Sequence, residues 1–268
     1  MTSAPQNPNS FTPPPSNDQW TAASQAAPAA GQFGTVSPQS SLGDDLGGSF
    51  SWMWKAFTRN LGVLIVPTLV WGFVILALTT IAIVVGVIAL RNMEWMTDPY
   101  TGESYPTTGF GVGNLLIIVL LTLIIALVAA AWYSGIAKAI GMIARGETPT
   151  ISQGFFSGRL MVVAIVVGII VGIASLVPVL GTIAALFFLT YAVPAAAIDK
   201  LGLGAAIKAS ARAALDKPVL ALLTIIIASV ASNLLGALVL PIIVVYQLTL
   251  LLHSSNYLRS TGRVPAAQ

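Results

Sequence analysis

Residues 218–257 read PVLALLTIIIASVASNLLGALVLPIIVVYQLTLLLHSSNY, forty residues without a single Asp, Glu, Lys or Arg. At 1.5 Å per residue, one helix of that length would measure about 60 Å, twice the hydrocarbon thickness of a bilayer. The stretch therefore reads as two membrane spans folded back on each other. The turn falls between Ser232 and Pro241, with Asn233 and Gly236 the favoured turn residues.

Working outward, the same pattern recurs upstream. A first span lies within 61–90, with Pro67 as a potential kink. A second runs from Asn114 to about Tyr133, and its helix is expected to continue to Arg145. A third occupies 160–177, an uncharged turn 178–181, and a fourth span 182–198. Before the first span, Phe50, Trp54, Phe57 and Leu61 recur at helical spacing, with Lys55 and Arg59 on another face. This predicts a short interfacial helix. Residues 202–216 predict a second amphipathic helix, with Lys208, Arg212 and Asp216 on one face and Ile207, Ala211, Ala214 and Leu215 beside them.

Charge orients this arrangement. Eleven of the twelve Lys and Arg residues (Lys55, Arg59, Lys138, Arg145, Arg159, Lys200, Lys208, Arg212, Lys217, Arg259 and Arg263) fall on one side of a six-span chain, and Arg91 alone on the other. Basic residues in short loops stay on the cytoplasmic side. The expectation is an all-α membrane protein of six transmembrane helices in three hairpins, with cytoplasmic amphipathic helices. It is placed in the inner (plasma) membrane with both ends in the cytoplasm. Lys and Arg four apart in 55–59 and again in 208–212, with a degraded copy in 155–159, raise the expectation of a threefold repeat.

Composition supports the membrane reading. The chain is 56% hydrophobic and 8% charged, against about 25% charged in a soluble domain. Residues 1–47 are rich in Pro, Ser, Gln, Ala and Gly and read as a disordered cytoplasmic tail. Residues 48–258 form the transmembrane domain and 259–268 a short cytoplasmic C-terminal tail. The N-terminus has no Lys or Arg before Lys55 and does not read as a signal peptide.

Much chemistry is excluded. With no Cys and one His (His253), thiolate catalysis, disulfides and Cys- or His-based metal clusters are not available. The net charge of +3 is spread beside spans rather than gathered in one patch, so no nucleic acid is expected as a partner. Glu94, Asp98 and Glu103 make an acidic outer loop without calcium-loop spacing. No span carries an ionisable group at its middle, which argues against proton-coupled transport. No catalytic residue, metal ligand or cofactor is assigned.

Two features remain. Tyr191, Tyr246 and Gln247 are the polar groups that form a possible intramembrane polar site. A buried amide in lipid must find a partner, so an interhelical hydrogen bond is the simpler reading of Gln247. Ala164, Gly168 and Gly172 recur every four residues, as do Ala228, Ser232 and Gly236. Such rows let helices approach closely, and both faces are expected to be buried against other spans or against a partner.

Pro194-Ala195-Ala196-Ala197-Ile198-Asp199-Lys200, followed by Gly202, Ala206, Ile207 and Ser210, resembles a pattern of a broad group of six-span bacterial membrane proteins. That group includes the membrane domain attached to some glycerophosphoryl diester phosphodiesterases. Residues 51–60 resemble its leading helix, and the likeness covers roughly 48–258. An aromatic often follows the serine in that group, where Ala211 stands here. The leader resembles those of actinobacterial membrane proteins. The resemblance implies the six-span fold. No phosphodiesterase domain is present, so no catalytic residue carries over. The expected role is a non-enzymatic accessory or scaffold subunit of a larger envelope or respiratory assembly, with the lipid bilayer and other membrane subunits as partners. The alternative is a facilitator for a lipid or weakly charged solute.

Overall fold

A capping box starts the first helix. Ser41 Oγ accepts from the Asp44 N–H while the Asp44 carboxylate accepts from the Ser41 N–H, so α1 spans Leu42–Arg59. The computed structural model describes residues 33–37, 40–106, 111–177, 179–235 and 239–267. Helix therefore begins inside the stretch assigned to the tail, whose residues 1–32 and 38–39 lie outside those described. The remaining helices are α2 (Leu61–Arg91), α3 (Val112–Ala144), α4 (Gly158–Ala174), α5 (Leu180–Leu189), α6 (Ala192–Ile198), α7 (Leu203–Asp216), α8 (Pro218–Leu235) and α9 (Val239–Ser260). Among the described residues the chain is all-α apart from two antiparallel strand pairs. In one, β2 (Trp95–Thr97) meets β3 (Ser104–Pro106) in the loop between α2 and α3. In the other, β1 (Gly34–Thr35) meets β4 (Arg263–Val264), which brings the two ends of the described chain together.

Four stretches among the described residues are long and apolar enough to cross a membrane: Leu61–Arg91, Val112–Ala144, Ile151–Ala174 and Leu180–Ile198. A fifth arises if α7 and most of α8 are taken together, although that pair is bent by 106°. α8 ends at Leu235 and α9 begins at Val239, and residues 236–238 of the expected turn lie outside those described. Gly236 itself lies outside the described residues, and Asn233 is helical rather than part of the turn.

The surface identifies the solvent. None of the most apolar window of α3 and only 6% of that of α2 is buried within the protein. Phe73, Leu76, Ile83, Leu116, Val119 and Leu123 all present more than half of their surface. Water would penalise so continuous an apolar belt by about 25 cal/mol per Å², whereas hydrocarbon does not. Several helices thus have the length and surface of membrane spans.

The packed core is concentrated at one end of this bundle. It joins Trp52, Met53, Ala56 and Phe57 of α1, the last turns of α3 (Ile136, Ile140, Ile143), Leu160 of α4, all of α6, Ala206 and Ala213 of α7 and Leu251 and Leu258 of α9. Trp52 and Met53, with Ala56 and Phe57 one turn on, are buried, while Phe50, Trp54 and Leu61 point outward.

The expected fourth span is also not one continuous helix. It breaks at Thr190–Tyr191, between α5 and α6. Ser210 Oγ on α7 accepts from the Tyr191 N–H at 3.0 Å and donates to the Phe188 carbonyl at 2.7 Å. Pro194 lacks the N–H that would have continued the ladder through the break. The degraded middle copy of the repeat differs as well: a single 3-10 turn (Ile151–Gly154) precedes α4, not an amphipathic helix.

Candidate functional site

Two threonines organise the buried polar groups by the same arithmetic. A hydroxyl has one proton and two lone pairs. Thr224 Oγ1 on α8 donates to the Leu220 carbonyl and accepts from Asn256 Nδ2 at 2.8 Å and from the Tyr191 hydroxyl at 3.3 Å. Thr68 Oγ1 on α2 donates to the Leu64 carbonyl and accepts from Gln247 Nε2 and from Trp132 Nε1. Each threonine is saturated: Thr68 joins three helices, and Thr224 joins α8, α9 and the break between α5 and α6. Asn256 extends the first node, because its Oδ1 accepts from Ser49 Oγ on α1, and Ser49 in turn accepts from Ser255.

The residues singled out as an intramembrane polar site therefore occupy two nodes, not one lining. Tyr191 belongs to the Thr224 node and packs its ring against Tyr257. Gln247 belongs to the Thr68 node, fully buried, with its Oε1 unpartnered. Tyr246 stacks on Trp132 at 4.6 Å and meets Tyr133 edge-on at 5.9 Å. His253 Nδ1 lies 2.7 Å from the Thr249 carbonyl of its own helix. Sequence reasoning missed Ser49, Thr68, Thr224 and Asn256. The only hint of them was the polar run Ser254-Ser255-Asn256 closing an apolar stretch.

Of the small-residue rows, Ala164 packs against the core while Gly168 and Gly172 find no close neighbour among the described residues, and Gly236 lies outside those described. Gly168 and Gly172 are exposed, and a Cβ built on either would meet nothing within 4 Å. Ala164 and Ala228 are half-buried, and Ser232 is exposed. Close packing uses other glycines. A Cβ on Gly135 would overlap the backbone of Gly154–Phe156, and one on Gly141 would crowd Ala197 at 2.8 Å.

Ion pairs gather at the packed end. Asp45, with its side chain 3% exposed, receives both Lys217 and Arg259. Arg263 makes a forked contact to Asp199 at 2.7 and 2.9 Å, and Tyr257 donates to the same carboxylate at 2.6 Å. The C-terminal strand then lies over α1 and α3: Trp52 Nε1 donates to the Ala266 carbonyl, and the Ala266 N–H to that of Ala144. A cavity of about 730 Å³ is lined there by Phe33, Ser51, Trp52, Lys55, Arg259 and Val264 among others.

A second cleft, of about 390 Å³, lies among Lys138, Met142, Arg145, Glu147, Gln153, Ser157, Arg159, Leu160, Ala197 and Lys200. Here Arg145 Nη1 donates to the Ala197 and Ile198 carbonyls, and Arg159 Nη1 to those of Ala196 and Leu201. Two cations thus satisfy the orphan carbonyls at the C-terminus of α6, where the helix dipole favours positive charge. The hydrogen bond from Arg145 holds the Glu147 carboxyl below its ordinary range against a smaller opposing effect of burial, with the charges of Arg145 and Lys200 adding to it. Neither cavity is lined by Tyr191, Tyr246 or Gln247.

A scan against protein-family models and searches of curated proteins and of solved structures find no match to this chain.

Proposed function

We propose that this chain is a non-enzymatic, multi-pass subunit that works by lateral association in the bacterial inner membrane, as an accessory or scaffold component of a larger envelope or respiratory assembly. The observation that carries the reading is the contrast between α4 and the polar core. The Ala164, Gly168 and Gly172 row is built for close helix approach, yet its glycines meet nothing among the described residues. The Thr68 and Thr224 nodes spend their hydroxyls on holding helices together. A partner helix seated on the α4 row would bury what the monomer leaves open.

In this reading α8 and α9 are the fifth and sixth spans, and both ends lie in the cytoplasm. Support comes from the basic residues of α1, α7 and the ends of α3 and α9, and from the pairing of Gly34 with Val264. Purification of the full chain in mild detergent, followed by mass spectrometry, tests the proposal. Stoichiometric membrane partners are expected, and a lone monomer would count heavily against it. Tag accessibility in intact cells tests the topology, with both ends expected to be protected from outside reagents.

A further inference from the structure

The cleft between α3, α4 and α6 holds more positive charge than its own chain balances. Arg145 is spent: its Nη1 serves two carbonyls, and its Nε and Nη2 bind Glu147 at 2.7 and 3.2 Å. Glu147 is the one carboxylate lining the cleft, and it is taken. Lys138 and Lys200 have no hydrogen bond or ion pair among the described residues, and Arg159 retains Nε and Nη2 after its two carbonyl bonds. Four cations and a single carboxylate therefore line one cleft, in a chain with only twelve Lys and Arg in total.

Lys200 adds a backbone argument. It sits at φ 55°, the left-handed conformation that closes α6. Gly or Asn adopts that conformation more readily than a long side chain. The chain nevertheless places a cation at the cleft mouth.

Met142, Leu160 and Ala197 add an apolar part to the lining, and Phe156 and Val162, on the loop before α4 and on α4 itself, are exposed. Mutual repulsion of the cations is relieved best by a compact anion of more than one charge, held by Arg and Lys N–H donors. From this convergence the geometry points to a phosphate-binding site, filled by the headgroup of an anionic phospholipid whose acyl chains run along α4. Basic pockets between membrane helices bind such headgroups. The site stands independently of whether the chain is a scaffold subunit.

The test is thermal unfolding of the full-length protein in neutral detergent at constant ionic strength. Three titrants are compared: short-chain phosphatidic acid, inorganic phosphate and phosphatidylcholine. Wild type should show a saturable rise in Tm with phosphatidic acid and none with phosphatidylcholine. The double variant Lys138→Gln/Lys200→Asn removes two free cations without breaking a bond of the fold, and should weaken the response by at least about tenfold. Lys208→Gln/Arg212→Gln, on the exposed face of α7, should leave it unchanged. A response to inorganic phosphate of equal affinity assigns the site to a soluble phosphate, and its absence assigns the site to the headgroup. The proposal is overturned if wild type shows no saturable response to either phosphate source. It is also overturned if the α7 variant loses as much as the cleft variant.

Discussion

Ser49 Oγ donates a 2.6 Å hydrogen bond to Asn256 Oδ1 across 207 positions of sequence, and both residues are fully buried. The bond ties α1 to the last turns of α9, and Asn256 Nδ2 carries the tie on to Thr224. Removing one member leaves the others as buried, unpaired polar groups, the costly half of hydrogen-bond energetics. Asn256→Leu is expected to destabilise the protein by about 2–3 kcal/mol. The double change Ser49→Ala/Asn256→Leu should cost less than the sum of the two single changes. Reversible unfolding in mixed micelles, run as a double-mutant cycle, measures the coupling. Strict additivity would show that the two side chains do not share a bond.

Asp45 stands one turn before Ser49 and receives Lys217 from the bend between α7 and α8 and Arg259 from α9. Asp45→Asn keeps the shape and removes the charge. The largely buried Arg259 then loses its counter-ion, whereas Lys217 is exposed enough to turn to water. The expected loss is about 2–3 kcal/mol, below the full value for a buried pair because of that solvent access. Adding Arg259→Leu to Asp45→Asn should restore part of it. If Asp45→Asn alone is neutral, the pair contributes nothing to stability.

Glu147 gives the fold an acid-sensitive contact. Its folded-state pKa lies below the ordinary 4.5, through the Arg145 hydrogen bond first. A depressed carboxylate contributes stability that is fully present above its unfolded pKa and is lost as pH falls through the folded one. The contribution should therefore begin to fade below pH about 4.5 and be gone at lower pH still. Tm measured against pH should show Glu147→Gln below wild type near neutrality, with the two curves converging on acidification. Parallel curves down to the lowest pH would show that Glu147 is not linked to folding.

The span positions were legible because they depend on local composition: the apolar runs that begin at 61, near 114 and at 160 became α2, α3 and α4. The break before Tyr191 was not, since the hydroxyl that intercepts its N–H comes from Ser210, 19 positions downstream and on another helix. The polar nodes were half legible. Gln247 and Tyr191 stood out by size, but Thr68 and Thr224 are single hydroxyls in apolar helices, and their valence becomes visible only when three helices converge. The small-residue rows left a choice between two packing surfaces open. Periodicity of four marks a face that can pack, but does not say whether the second surface belongs to the same chain. Gly135 and Gly141, six apart and in neither row, are among the glycines that carry close intrachain contacts.

That distinction gives the sharpest test of the association reading. Gly135→Ala drives a methyl group into the backbone of Gly154–Phe156, which has no flexible side chain to yield. It should cost about 3 kcal/mol. Gly168→Ala meets open space and should leave the isolated protein unchanged or stabilise it by about 0.5–1 kcal/mol through helix propensity. Gly168→Leu starts from the same open, exposed position, where nothing among the described residues lies within 4 Å of the new Cβ. A partner helix packed against the α4 row could not approach a leucine closely. The expected result is a Tm near wild type for Gly168→Leu, with stoichiometric partners lost from the mild-detergent preparation. Partners retained at full stoichiometry by Gly168→Leu and Gly172→Leu would place the association surface elsewhere.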